Sequence, residues 1–240
     1  MKDGEERKKD MIKAFFMDYN GTIIREGGRE MEEIISRICR HSDIHTVPEV
    51  LEYWYSRLGA MEQKCYGENF ISEDQIVTVL LEQCREEIHL EENMEELHEL
   101  FRAYWGNAPV FEDAEEFLKK CTLPVYVLTN NSVPYVERCL GRNGLRPAGI
   151  ITADMTRAYK PHREVFLEAL RVSGCGPDEV VHVGDSWDSD VKGAQAAGIT
   201  PVLLDRRGKY AEADCAVVRS LTELLAPSGE FQFPEKQSSC

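Results

Sequence analysis

Ile12-Lys13-Ala14-Phe15-Phe16-Met17-Asp18-Tyr19-Asn20-Gly21-Thr22 is the stretch on which the fold turns. An apolar run that ends on a carboxylate and meets a glycine three residues later reads as a buried strand entering a tight turn. The same form recurs downstream. Val125 to Leu128 leads into Thr129 and Asn130, Ile150 and Ile151 lead into Thr152, and Val180 to Val183 leads into Gly184 and Asp185. Helical patterns lie between these runs: Val133 to Leu140, then Pro161 to Val172 with Pro161 near the first turn, then Asp188 to Ala197 closed by Gly198. Strand alternating with helix predicts an α/β fold built on a doubly wound parallel sheet.

Between the first run and the rest, from about Arg29 to Asn107, the pattern is helical throughout. Met31, Ile34, Ile35 and Ile38 share one helical face; so do Val50, Trp54, Leu58 and Met61, then Ile76, Leu80, Cys84 and Ile88, then Met94, Leu97, Phe101 and Tyr104. Four amphipathic helices predict a small bundle inserted beside the first strand–helix turn. The expected division is residues 1–24 and 107–240 for an α/β core and 25–106 for a helical cap. Ala226 to Cys240 reads as a loose tail.

The chain's 240 residues exceed the ~100–150 of a typical domain, which leaves room for a core plus an insert. Hydrophobic residues make up 42% and charged residues 30%, ordinary for a packed globular protein. A net charge of -15 without any basic segment argues against nucleic acid or anionic membrane as a partner. It also means that an anionic small molecule needs a local positive centre. No apolar run approaches the ~20 residues of a membrane span, and Met1 to Asp10 is too polar for a signal peptide, so a cytoplasmic location is expected. Cys39, Cys65, Cys84, Cys121, Cys139, Cys175, Cys215 and Cys240 are scattered without a C-x-x-C pair, the pattern of reduced structural thiols. Nothing in the sequence decides between monomer and homodimer.

In a parallel sheet the strand C-termini share one edge, and ligands bind there. That edge collects Asp18, Thr129, Asn130 and Asp185, with Lys160 just before a helix and Asp190 in the turn after Asp185. Three carboxylates at close range repel one another and call for a cation; hard oxygen ligands suit Mg²⁺.

Asp18-Tyr19-Asn20-Gly21-Thr22, Leu128-Thr129-Asn130, Tyr159-Lys160-Pro161 and Gly184-Asp185-Ser186-Trp187-Asp188-Ser189-Asp190 together resemble, in order and strand context, the motifs of the haloacid dehalogenase superfamily, most of whose members are phosphatases. The resemblance runs from Ile12 to about Leu225, and the helical insert is similar to the family's first type of cap. It implies a Mg²⁺-dependent hydrolase of a small phosphorylated metabolite that works through an aspartyl phosphate on Asp18. It also implies that Gly21, Thr129 and Asn130 hold the transferring group and that Lys160 neutralises its charge. Mg²⁺ would sit on Asp18, the backbone carbonyl of Asn20 and Asp185, with Asp190 orienting the metal shell or Lys160.

Asn20 departs from the pattern, because the family's phosphatases place a second aspartate there as proton donor and water activator. An amide exchanges no proton in this range, and such catalysis is worth roughly 10² to 10⁴ in rate. Slow or retuned hydrolysis is the expectation. Two alternatives follow: a metal-independent 2-haloacid dehalogenase, whose family branch also lacks that aspartate, or a low-activity binding or regulatory relative. Among neighbouring residues, Asp188 reads as a helix N-cap, His182 as a structural histidine and His162 as an exposed first-turn residue. Tyr53, Trp54, Tyr55 and Tyr66 read mainly as bundle core, and Arg57 as the cap cation best placed for a second anionic group on a substrate.

Overall fold

The computed structural model describes residues 12–210 and 213–234. Six parallel strands, β1 (Ala14–Met17), β2 (Val125–Thr129), β3 (Gly149–Thr152), β4 (Val180–Gly184), β5 (Thr200–Leu204) and β6 (Ala216–Val218), form one sheet in the order β3-β2-β1-β4-β5-β6. Met17 lies in register with Val127 on one side and Val183 on the other. All four residues of β1 are fully buried: Ala14 and Phe16 pack against one layer with Leu128 and Phe166, Phe15 and Met17 against the other with Phe117 and Val183. Burial on both faces accounts for an unbroken apolar run in place of alternation. The chain leaves β1 toward β2 and β3, then returns to β4 on β1's other flank, which makes the β1/β4 boundary the switch point of the sheet.

Between β1 and β2 the predicted bundle is present as α1 (Arg29–His41), α2 (Val47–Lys64), α3 (Glu73–Glu87) and α4 (Met94–Asn107). Thr46 with Glu49 and Ser72 with Gln75 form capping boxes at the starts of α2 and α3, and the Asn93 side chain caps α4. Trp54 stacks on Phe101 at 4.5 Å between ring centres, inside the bundle. α5 (Glu112–Lys120), α6 (Val133–Arg142), α7 (Arg163–Ser173) and α8 (Lys192–Ala196) complete the layers on the sheet.

Three expectations need correction. β5, β6 and α5 left no readable pattern: β5 opens on Thr200-Pro201, and proline argues against a strand. β6 has three residues, and α5 buries only Ala114 and Phe117. α7 starts at Arg163, two residues beyond Pro161. The tail is not loose through residue 234: Leu225 bridges Phe231, which is buried with its ring edge-on to Phe15 at 5.2 Å. Burying such a side chain contributes about 1.5–3 kcal/mol. Residues 235–240, Cys240 among them, lie outside the described residues, as does Met1 to Asp10. The seven other cysteines are free thiols, and no described helix is long and apolar enough to cross a membrane.

Candidate active site

Asp18 is the first residue past β1, Thr129 ends β2, and Asp185 follows β4, so three adjacent strands deliver them to one edge. Carboxylate oxygens of Asp18, Asp185 and Asp190 lie within 4.8 Å of one another. Lys160 enters from the loop ahead of α7, its Nζ 2.5 Å from Asp18 Oδ1 and 2.6 Å from Asp190 Oδ1. Asp190 is saturated. Its Oδ1 also meets His182 Nε2 at 2.9 Å, and its Oδ2 accepts the Ser186 N–H. Asp18 is not saturated: Oδ2 is buried and has no hydrogen-bond partner.

Electrostatics follow from that wiring. Burial pushes the Asp18 carboxyl well above the usual carboxylate range despite the Lys160 ammonium, with Asp190 pushing the same way. Burial, then Asp18 and Asp190, raise Asp185 as well. Asp190 goes the other way, since Lys160 and His182 outweigh its own desolvation. The two carboxylates hold Lys160 protonated against burial. Burial lowers His182, which as a neutral ring donates from Nε2 to Asp190 and leaves Nδ1 unpartnered. An orphan oxygen on Asp18 beside a raised Asp185 is the donor set a hard divalent cation satisfies, so these residues fit Mg²⁺.

Two glycines are required by close approach. Gly21 has φ +73°, and a Cβ there would stand 2.3 Å from Asp185 Oδ2; its own N–H is donated to the Ile24 carbonyl at 2.9 Å. A Cβ on Gly184 would meet Asp190 Cγ at 2.2 Å. Arg206, at the end of β5, braces the nucleophile turn by donating to the Thr22 carbonyl at 3.0 Å and to Asp113 at 2.7 Å.

The second motif is engaged with the cap. Thr129 Oγ1 donates to Asn131 Oδ1 at 3.2 Å and accepts the Asn131 N–H at 3.1 Å. Asn130 Oδ1 accepts the Lys160 backbone N–H at 2.8 Å, while its Nδ2 donates to Glu62 of α2 at 3.0 Å. Asn20 Nδ2 donates to Asn131 Oδ1 at 2.6 Å, and Asn131 Nδ2 donates to the buried Glu73 of α3 at 2.7 Å. Asn131, Glu62 and Glu73 went unread in the sequence. The only available signal was the Asn130-Asn131 doublet, since acidic residues on amphipathic helices are commonplace.

Other expected positions fall elsewhere. Asp188 is no cap: Ser186 fills that place, and Asp188 pairs with Lys192 at the surface. Arg57 lies over the Tyr53 ring and bonds Glu87 within the cap, away from the carboxylate cluster. His162 stacks on Tyr66 at 4.6 Å across the cap–core boundary, and Tyr66 Oη donates to Glu164. His182 is structural, as expected, though only one ring nitrogen is satisfied.

The sequence matches the haloacid dehalogenase-like hydrolase family over residues 12–198. It is 28% identical over 223 residues to the phosphoglycolate phosphatase of Escherichia coli, covering 87% of this chain and 82% of that protein. The haloacid dehalogenase-like hydrolase domain-containing protein 2 of Bos taurus is 51% identical over 55 residues, 23% of this chain and 21% of that protein. Glyceraldehyde 3-phosphate phosphatase of Methanopyrus kandleri is 38% identical over 65 residues, 27% of this chain and 28% of that protein. This chain thus spans well under a third of the length of these last two relatives. Among solved structures, L-2-haloacid dehalogenase from Xanthobacter autotrophicus shares the fold with a TM-score of 0.72 at 19% identity, over 89% of this chain and 96% of that one. The magnesium-bound hydrolase YfnB of Bacillus subtilis does so with a TM-score of 0.71 at 19% identity, over the same shares. Since the family match runs unbroken from the nucleophile strand past the turn that carries Asp185 and Asp190, the chain belongs to the haloacid dehalogenase-like hydrolases.

Proposed function

We propose that this hydrolase is a Mg²⁺-dependent phosphatase of a small phosphorylated metabolite in the cytoplasm, with residues 25–106 serving as a cap over its site. One observation carries the reading: Asp18 Oδ2 is buried without a partner beside Asp185 and Asp190, a donor set that a divalent cation satisfies. Asp18 Oδ2, Asp185 and the backbone carbonyl of Asn20 would hold the ion, and Asp190, committed to Lys160 and His182, would stand behind them. When bound, Mg²⁺ supplies charge neutralisation at the phosphoryl oxygens.

Asp18 attacks phosphorus, and its new P–O bond forms as the ester P–O bond breaks. Lys160 orients the attacking oxygen, Asp18 Oδ1, while Oδ2 is left for the ion, and stabilises the charge of the transferring group. Thr129 turns from Asn131 toward the phosphoryl oxygens, and the Asn130 backbone N–H assists while its side chain keeps the Lys160 loop in place. Water then releases phosphate from the aspartyl phosphate. The similarity to the E. coli phosphatase, which spans 82% of that protein's length, supports this reading. A net charge of -15 favours a small anion steered by Lys160 over a polyanion such as nucleic acid.

Asn20 favours a second reading, carbon–halogen displacement by Asp18 without metal. The test is a screen of phosphorylated sugars, nucleotides and small acids, run beside 2-haloacids with and without Mg²⁺. Ester hydrolysis that needs Mg²⁺ and vanishes in Asp18→Asn is the expected result. Halide release that survives chelation, without ester hydrolysis, overturns it.

A further inference from the structure

Asn20 leaves the proposed phosphatase without a titratable group two residues beyond its nucleophile, while the cap brings a carboxyl to the same cleft. Glu62 lies in the last turn of α2, half-buried. Its Oε1 accepts from Asn130 Nδ2 at 3.0 Å; Asn130 Oδ1 accepts the Lys160 N–H at 2.8 Å; and Lys160 Nζ lies 2.5 Å from Asp18. The carboxyl is therefore held against the loop that carries Thr129 and Asn130, on the cap side of the nucleophile. Its Oε2 has no hydrogen-bond partner among the described residues. Glu73 of the cap differs: it is buried and both its oxygens accept from Asn131.

We propose that Glu62 is the catalytic acid and base that the amide at Asn20 cannot be, an inference that rests on the phosphatase reading. In the first step the bond from phosphorus to the leaving oxygen breaks, that from phosphorus to Asp18 forms, and the Glu62 proton passes to the leaving alkoxide, giving an alcohol and a carboxylate. In the second, a water proton returns to Glu62 as the water oxygen bonds to phosphorus and the bond to Asp18 breaks. Asn130 aims the carboxyl without exchanging protons. Groups facing Glu62 are Asn130 and Lys160 from the core, Glu73 from α3, Tyr159 from the loop before Lys160, and Cys65 at the end of its own helix. Burial pushes Glu62 up to about 7 against the lowering by Asn130 and Lys160, so both protonation states are populated at neutrality.

The experiment compares glycerol phosphate, a poor leaving group, with p-nitrophenyl phosphate, an activated one, in the Mg²⁺-saturated full chain. Glu62→Gln keeps the Asn130 contact and should lower glycerol phosphate turnover by about 10²-fold or more. It should leave the first-turnover burst of nitrophenolate nearly intact and remove the fall in glycerol phosphate turnover as pH rises through neutrality. Glu62→Asp, which retains a carboxyl, should keep that fall. A folded Glu62→Gln enzyme with the parent's glycerol phosphate rate and pH profile overturns the inference, while the phosphatase reading stands so long as Asp18→Asn is inactive. A parent with no Asp18-dependent hydrolysis of either ester overturns both.

Discussion

The sheet edge and the cap handle charge in opposite ways. At the edge, Asp18, Lys160, His182 and Asp190 are nearly excluded from water and bound to one another, so each ion is tolerated because of the next. In the cap, Arg57 pairs with Glu87, and Arg102 grips Asp74 at 2.9 and 3.0 Å, all partly open to solvent. Glu62, Glu73 and Asp74 reach from the cap to the core, at Asn130, Asn131 and Tyr135. The edge works as one unit whose members cannot be removed singly, whereas the cap is an assembly of separable pairs.

Removing the shared cation gives the sharpest contrast. Lys160→Met leaves Asp18 and Asp190 buried without their counter-ion, and breaking a buried ion pair costs about 3–5 kcal/mol. Urea unfolding of metal-free Lys160→Met should show a loss of that size. A loss no larger than that of a surface ion pair would mean that the edge is not one unit.

Adding a cation should act in the opposite sense. At 100 times Kd, Mg²⁺ should stabilise the protein by about 2.7 kcal/mol, readable as a rise in Tm that disappears in Asp185→Ala. The pH dependence has a definite sign. Asp18, Asp185, Glu62 and Glu73 are all held above the usual carboxylate range, so the native state binds more protons than the unfolded chain. Metal-free stability should therefore fall as pH rises from that range through neutrality, and Mg²⁺ should flatten the slope. A slope of the opposite sign would contradict the burial of these carboxyls.

Arg57→Ala should do least. Its partners Glu87 and Tyr53 lie within the cap, so kcat/KM for any accepted ester should stay at the parent value and Tm should drop by less than Mg²⁺ raises it. Loss of turnover on that substitution would place Arg57 in the site after all.

What could be read from the chain divides along the same line. β1, β2, β3 and β4 were legible because each apolar run ends on a polar residue at the edge; β5 carries Pro201 as its second residue, so nothing marked it although Arg206 beyond it braces the nucleophile turn. The cap helices were legible by spacing, and Val50, Trp54, Ile76, Leu80 and Phe101 are buried as that spacing requires. Which acidic residues of those helices face the core was not legible, because it depends on how the bundle seats on the sheet. Arg57 and Glu62 lie five positions apart on one helix, yet one is spent on Glu87 and the other reaches Asn130. Asp190 was placed near the metal by its neighbours in sequence, but its bonds to His182 and Ser186 required the folded turn.

The Asn131 amide gives the cleft a direction. It presents its oxygen to Asn20 and its nitrogen to Glu73, so core and cap meet through a group with an accepting side and a donating side. An aspartate in place of Asn20 would face that oxygen as a second acceptor, and turning the amide to meet it would set the same oxygen against Glu73. The identity of residue 20 is thereby tied to a side chain on another domain-sized element, 53 positions along the chain. The amide at Asn20 and the carboxyl at Glu73 form a matched pair, and a change of chemistry at one end asks for the complementary change at the other.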